Sequence, residues 1–330
     1  MFKKKKLATL LLLLLTNIIL PLNVCAYSDY VIAGGQNIGI ELDSNGVIIV
    51  GTYEVNKENP AKNANLKTGD KIIKINETPV SSIKEMINAI DDTRNDTVTI
   101  SYLRANKEYQ TELALIQDND NVYKTGLYVK DSISGVGTLT FIDPNSKIYG
   151  ALGHEIIEKT TGQKLEIKDG KIYSSTVTSI NPSIEGNPGE KNAIYNSNDI
   201  FGNITENSTS GIFGTYKTTI PQNKLYKVAQ PSEIKPGEAS ILTVTKGEEI
   251  KEYKINILKI NKDTKSTKNM LFEVTDNELL KISGGIVQGM SGSPIIQGDN
   301  IIGAVTHVVV DDCTKGYGIF ITNMLEEAEN

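Results

Sequence analysis

The chain has few cysteines, histidines and aromatic residues, and these shortages limit its possible chemistry. It contains two cysteines, two histidines and no tryptophan in 330 residues. If an N-terminal segment of 26 residues is removed on export, only Cys313 remains, which excludes an internal disulfide. Cys313 stands in a polar turn, which lacks the electropositive surroundings that a reactive thiol needs. Neither a disulfide-stabilised fold nor a catalytic cysteine is therefore expected.

Clustered positive charge is missing beyond the N-terminus, and the chain as a whole is acidic. Its formal net charge is −6, and loss of residues 1–26 removes four lysines and no acidic residue, which moves the charge to −10. No basic run remains in residues 27–330. Because an acidic protein without a basic patch binds nucleic acid poorly, we do not expect a nucleic-acid partner.

The sequence also lacks a hydrophobic run of ordinary transmembrane length. Residues 7–22 are a stretch of 16 residues that contains Asn17 and Pro21, whereas a membrane-spanning helix needs about 20 apolar residues. The stretch follows four lysines and precedes small residues at 24–26 that suit signal peptidase. The pattern predicts an export signal in residues 1–26, with a retained N-terminal membrane anchor as the alternative. In both cases we expect the rest of the chain outside the cytoplasmic membrane.

A serine between glycines, just before an apolar strand, is the clearest catalytic feature of the chain. Gly289 and Gly292 leave the backbone around Ser291 free of side chains, so main-chain N–H groups can turn toward a substrate carbonyl. Such a loop can form an oxyanion hole. Ser291 is predicted to be a nucleophile, and Ser293 is a weaker candidate.

A serine nucleophile needs a base, and only two histidines are available. His154 follows an apolar strand and stands beside small residues that leave room for a second group, which favours it as the base. His307 lies within a strand pattern, where histidine is usually structural. A carboxylate should orient the imidazole. Both Asp199 and Asp276 are candidates, and their spacing in the sequence does not decide between them.

Hydrophobic patterning divides the chain into two parts. Residues 27–118 contain short strands and a helix with apolar residues at 83, 86, 87 and 90, which predicts an α+β module. A polar break at 118–121 predicts a domain boundary. Residues 119–330 have many short strands rich in Ile, Val, Thr and Tyr, with turn residues between them, and a helix only at 323–328. We predict a mainly β protein whose second part is a sandwich or barrel.

The N-terminal module resembles a PDZ domain. The loop at residues 37–40, the turn at 66–70 and the helix at 83–90 follow one another in that family's order. The resemblance implies that a peptide binds as an added strand beside Asn37, Ile38, Gly39 and Ile40. The alternative is that the module serves only as a spacer or as a lid on its neighbour.

Residues 289–294, here called the serine loop, resemble the nucleophile loop of chymotrypsin-like serine peptidases. In those enzymes the histidine also precedes the serine in the sequence. The resemblance implies a double β-barrel, with the amides of Gly289 and Ser291 as oxyanion donors. The spacing between the histidine and the carboxylate in those peptidases, counted from His154, points toward Asp199. Met290 replaces an aspartate that digestive peptidases use in activation, and Gly285 offers no charge for a basic substrate side chain. We therefore expect neither that activation nor a trypsin-like preference.

Longer motifs narrow the resemblance to the stage IV sporulation protein B peptidase family. The motifs are residues 137–141, 149–154, 186–191, 211–215, 284–297 and 303–308. The resemblance implies an exported PDZ serine endopeptidase in the intermembrane space of the forespore, either secreted or membrane-anchored. Such an enzyme cleaves a membrane-bound regulator of a sporulation protease and its own N-terminal region. The implied catalytic residues are Ser291, His154 and Asp276, with no metal and no organic cofactor. The alternative is a non-catalytic PDZ scaffold that binds a membrane protein.

Overall fold

The computed structural model describes residues 27–93, 95–118, 122–263 and 265–329. The predicted signal or anchor, residues 1–26, lies outside these ranges. Within them, no helix has both the length and the apolar character needed to cross a membrane. Strands predominate, and four buried clusters of apolar side chains divide the core.

The N-terminal module packs two helices on a small sheet. Its elements are β1 (Tyr30–Ala33), β2 (Asn37–Thr52), α1 (Pro60–Asn63), β3 (Lys71–Ile75), β4 (Thr78–Pro79), α2 (Ile83–Asp91), β5 (Thr97–Arg104) and β6 (Lys107–Ala114). The side chains of Asn59 and Ser82 cap the two helices, as short polar residues commonly do. Helix α2 buries Met86 and Ile90 in the core of the module. A short hairpin of β7 (Ile116–Gln117) and β8 (Tyr123–Lys124) follows.

The first barrel takes one of its strands from the N-terminal module. It consists of β2, β9 (Leu127–Ile142), β10 (Ile148–Ala151), β11 (Ile167–Asn181), β12 (Glu190–Asn203) and β14 (Gly211–Thr215). Strand β9 pairs with β2 and β10, and β10 pairs with β14. On the other side, β11 joins β2 to β12. A bridge between Gly202 and Tyr216 closes the ring. Strand β13 (Glu206–Ser208) forms a hairpin with β14.

The second barrel is built from the C-terminal part of the chain. Its strands are β16 (Gly237–Val244), β17 (Ile250–Ile260), β18 (Met270–Val274), β19 (Pro294–Gln297), β20 (Asn300–Val308) and β21 (Lys315–Phe320). They pair in the order β16–β17–β18–β21–β20–β19, and β19 returns to β16. Helices α3 (Asn277–Ser283) and α4 (Ile321–Ala328) accompany it, and β15 (Leu225–Val228) links β1 to β20.

The predicted mainly β architecture, an α+β module followed by a β-barrel part, is confirmed. Strand β12 lies where no strand was predicted, and α3 precedes the serine loop although a helix was expected in this part of the chain only at 323–328. The polar break at 118–121 falls between β7 and β8. However, β2 before the break pairs with β9 after it, so the two parts share a sheet.

The residues expected to bind a peptide, 37–40, form part of a strand in the wall of the first barrel. Ile38 pairs with Gly137 of β9 and with Ser174 of β11, and Gly39 and Ile40 are likewise paired on both sides. Asn37 pairs with Thr138, and Asn37, Ile38 and Ile40 are buried. A strand can be added only at an open edge. In this structure, a peptide would reach residues 37–40 only by displacing β9 or β11.

Candidate active site

The candidate catalytic residues lie where the two barrels meet. His154 follows β10 of the first barrel, and Ser291 precedes β19 of the second. A Cβ atom placed on Gly292 would lie 2.0 Å from the Thr138 carbonyl oxygen and 2.5 Å from the Leu152 amide nitrogen. The segment leading to His154 therefore packs directly against the serine loop. Glycine is required at 292 because of this close approach and because of its φ of 91°.

Strand β9 holds the serine loop from the side of the first barrel. The Thr138 hydroxyl donates to the Gly289 carbonyl at 2.8 Å, and the Thr138 amide donates to the Ser291 carbonyl at 3.0 Å. Two residues further along the strand, the Thr140 hydroxyl donates to the Gly292 carbonyl at 2.8 Å. In each of these three bonds a loop carbonyl accepts, so the contact with β9 uses none of the loop amides.

Two loop amides are left unpaired. The Gln288 carbonyl accepts a hydrogen bond from the Lys191 amide at 2.9 Å, and the Met290 carbonyl accepts one from the Ser293 amide at 2.9 Å. Because a trans peptide directs its C=O and N–H groups in opposite directions, the amides of Gly289 and Ser291 point away from these partners. Neither amide donates to another residue in the described ranges. Both are available to stabilise an oxyanion.

The Ser291 hydroxyl rests on a neighbouring carbonyl. It donates to the Thr306 carbonyl oxygen of β20 at 2.8 Å, and the side chain is partly exposed. It makes no hydrogen bond to His154 in this structure. Proton transfer would therefore need a rotation of the Ser291 side chain toward the imidazole.

His154 is held as a neutral base. Its Nδ1 lies 2.8 Å from the Glu155 carbonyl oxygen, which can only accept, so Nδ1 carries the proton and Nε2 has a free lone pair. Burial lowers the pKa of His154 below its ordinary value, although the Glu155 carbonyl and carboxylate act in the opposite direction. A neutral imidazole with a free Nε2 has the form required of a general base.

The second histidine also belongs to this site. The ring centres of His154 and His307 are 5.1 Å apart and the rings are inclined by 40°. His307 follows Thr306 on β20 and keeps an exposed face. Partial withdrawal of its ring from water, together with the nearby His154 and Lys268, lowers the pKa of His307 to about 4. His307 was expected to be structural, and the sequence contains no local signal for a contact between two barrels.

The two candidate carboxylates do not contact His154. Asp276 caps α3, accepting from the amides of Glu278 and Leu279 at 2.9 and 3.1 Å, and it also accepts from the Lys254 amide at 3.3 Å. Asp199 is exposed on β12. Among the described residues, neither aspartate hydrogen-bonds the imidazole, whose orienting partner is the Glu155 carbonyl. The same part of the chain contains no group of three or more potential metal-ligating side chains.

Comparison with known families agrees with this geometry. The family described as SpoIVB peptidase S55 matches residues 121–325, more than half of the chain. The chain belongs to the SpoIVB peptidase S55 family. It is therefore a serine peptidase, and the resemblance found in the sequence motifs is confirmed. A PDZ domain matches residues 36–115, so this S55 peptidase carries an N-terminal PDZ domain.

Solved structures of two kinds are similar to parts of this S55 peptidase. The PDZ domain of an SdrC-like protein from Listeria monocytogenes is 28% identical, covers 26% of this chain and 90% of its own, and has a TM-score of 0.23. The Rv3671c protease in its inactive form is 14% identical, with 59% and 85% of the two chains covered and a TM-score of 0.33. The active form from M. tuberculosis is 14% identical, with 76% and 87% covered and a TM-score of 0.31. No curated protein sequence matches the chain.

Proposed function

We propose that this S55 peptidase is an endopeptidase whose nucleophile is Ser291 and whose base is His154. The observation that carries the proposal is that two amides of the serine loop, those of Gly289 and Ser291, donate no hydrogen bond within the described residues. The loop lies where the two barrels meet. Donors fixed before the reaction stabilise the oxyanion without reorganisation when it forms. The neutral His154 beside them supplies the proton acceptor that serine requires.

The proposed reaction follows from these positions. Ser291 Oγ attacks the peptide carbonyl and gives its proton to His154 Nε2, while the two amides bind the negatively charged oxygen. The protonated imidazole then donates to the leaving amine, and the peptide bond breaks. Water repeats the sequence on the acyl-enzyme, losing its proton to His154 and releasing the acid. This chemistry needs neither a metal nor an organic cofactor.

The family resemblance supports a role in sporulation signalling. We propose that the chain is exported to the space between the two membranes around the forespore, in secreted or anchored form. Its substrates there would be a membrane-bound regulator of a sporulation protease and its own N-terminal region. The third catalytic member implied by the resemblance is Asp276, which in this structure caps α3.

Fluorophosphonate labelling tests the nucleophile directly. We expect the purified exported form to be labelled, and Ser291→Ala and His154→Ala to lose turnover by roughly 10⁴-fold or more while remaining folded. Ser293→Ala is the matched control, since its buried hydroxyl has no hydrogen-bond partner among the described residues. It should keep its label. A folded wild-type protein that takes up no label would support the scaffold function instead.

A further inference from the structure

Lys191 is buried between the two barrels without an anionic partner. Its exposed fraction is 3%, and its Nζ donates to the Thr243 hydroxyl at 2.8 Å and to the Thr138 hydroxyl at 3.5 Å. In the described ranges, the groups that face Nζ from β9, β16 and the serine loop are hydroxyl and backbone groups, with no carboxylate and no second cation. An unpaired buried ammonium is costly, so an apolar residue would serve the fold better.

This lysine contacts the serine loop in two further ways. Its amide holds the Gln288 carbonyl, which directs the Gly289 N–H toward the substrate side. Its side-chain stem packs on Gly289, because a Cβ atom placed there would lie 3.1 Å from Lys191 Cβ. Thr138, which Nζ contacts, donates to the Gly289 carbonyl and to the Ser291 carbonyl. Through Thr138, the ammonium is thus one side chain away from the peptide units 289–290 and 291–292, which lie on either side of the unit that carries the Ser291 N–H.

We propose that Lys191 is a positioning residue of the peptidase site, whose ammonium holds Thr138 and stabilises the oxyanion from behind the serine loop. The proposal rests on the function proposed for Ser291. Negative charge develops on the substrate oxygen in front of the Gly289 and Ser291 amides. A cation in the dry region behind them is weakly screened, so its attraction to that charge is larger than at the surface. The ammonium, unpaired at rest, thereby gains an anionic counterpart in the transition state.

The protonation of Lys191 follows from the same burial. Burial lowers the pKa of this side chain from 10.5 to about 7, with no opposing ion pair. The ammonium is therefore present below about pH 7 and is lost above it. Since the charged form is the supporting one, kcat should fall as the pH rises through neutrality. Together with the neutral His154 base, this predicts a bell-shaped profile.

Substitution by methionine separates charge from packing. Lys191→Met keeps the length of the stem, and we expect kcat to fall by about 10-fold with KM nearly unchanged. The melting temperature should not decrease, and the alkaline limb of the profile should disappear. Lys246→Met, at an exposed lysine, is the control and should match the wild type.

Unchanged kcat and pH profile in Lys191→Met would overturn the proposal. So would a variant that loses both stability and turnover but keeps the alkaline limb, because that result assigns only packing.

A second measurement does not depend on turnover. In protein labelled with ¹³C-lysine, the Lys191 Cε signal should titrate near pH 7. It should titrate at higher pH when phenylboronic acid forms its anionic tetrahedral adduct on Ser291, because the adduct places negative charge in front of the loop. Ser291→Ala should show no such change. A midpoint near 10.5 in the free protein would contradict the predicted alkaline limb. No rise in the adduct would overturn the role of Lys191. Absence of labelling and turnover in the wild type would instead contradict the peptidase proposal.

Discussion

At the scale of single residues, His154 is oriented by a main-chain carbonyl, in contrast to the carboxylate of a catalytic triad. The Glu155 carbonyl fixes the tautomer through Nδ1. A carbonyl dipole stabilises an imidazolium less than a full negative charge does, which leaves burial as the main influence on the His154 pKa. The base is thus favoured in its neutral form, ready to accept the serine proton.

The pH profile should show the lowered pKa of His154. Turnover requires the neutral imidazole, and a lowered pKa keeps it neutral in more acidic solution. We therefore expect the acid limb of kcat/KM to have its midpoint below about 6.5, the ordinary value for histidine. His307→Ala should retain the limb and most of the turnover. A midpoint near or above neutrality would contradict the assignment of His154 as a buried base.

Asp276 caps α3, and substitution can separate this role from the catalytic role proposed for its carboxylate. Asparagine caps a helix about as well as aspartate but carries no charge. Alanine neither caps the helix nor carries a charge. We expect Asp276→Ala to lower the free energy of unfolding by about 1 kcal/mol, and Asp276→Asn to change it little. Chemical denaturation of both variants measures this difference. If Asp276→Asn keeps its stability but loses turnover as severely as His154→Ala, its carboxylate acts on the imidazole. Asp199→Asn tests the alternative: loss of turnover in this variant with an inert Asp276→Asn would assign the carboxylate to Asp199.

At the scale of elements, the sequence predicts best what local chemistry determines. The serine loop was predicted because Gly289 and Gly292 lie within two residues of Ser291 in the sequence, and α2 because its apolar residues have helical spacing. Strand β12 was missed because half of its residues are exposed and residues 196–199 form a polar run, so it lacks the apolar alternation of a half-buried strand. Helix α3 was missed although Asp276 and Gly284 mark its two ends, because Asp276 was considered only as a catalytic residue.

Contacts between elements that are distant in the chain could not be predicted from the sequence. The approach of His307 to His154, and of Lys191 to the serine loop, depends on how two barrels dock, which no spacing within a motif encodes. The same holds for residues 37–40. Their order matches that of a PDZ loop, but the pairing of β2 with both β9 and β11 is decided by strands that lie far along the chain.

Strand β9 also reaches the helix of the PDZ domain. It pairs along β2, and its Asp131 side chain accepts from the Ile83 amide at the start of α2 at 2.8 Å. A free peptide therefore competes with a strand of the same chain. We expect fluorescence anisotropy of Ser291→Ala to show no saturable binding of labelled peptides at residues 37–40. Saturable binding at these residues would show that β9 or β11 leaves the sheet in solution.

At the scale of the whole molecule, shared strands should make unfolding cooperative. Strands β2 and β9 each belong to the PDZ domain and to the first barrel, so neither part can lose them alone. Calorimetry of Ser291→Ala, chosen to avoid self-cleavage, should show a single transition. Two transitions would contradict the coupling.

A substitution inside the PDZ domain sharpens this test. Arg104 binds the buried Asp70 carboxylate through two nitrogens, at 2.7 and 2.6 Å. Removing it leaves a buried charge unpaired, so Arg104→Ala should cost about 3 kcal/mol and shift the single transition as a whole. Lys107→Ala, at an exposed residue of the same hairpin, is the control. A shift confined to part of the transition would show that the domains unfold separately.

The sharing of β2 and β9 also bears on how such a protein can change over evolution. PDZ domains with their own complete sheet can be gained or lost through gene fusion, because a break in a linker damages neither neighbour. Here a recombination break between the two domains would divide a strand pair that both require. The PDZ domain and the peptidase are therefore expected to be inherited as one unit, and relatives lacking the PDZ domain would need another strand to complete the first barrel.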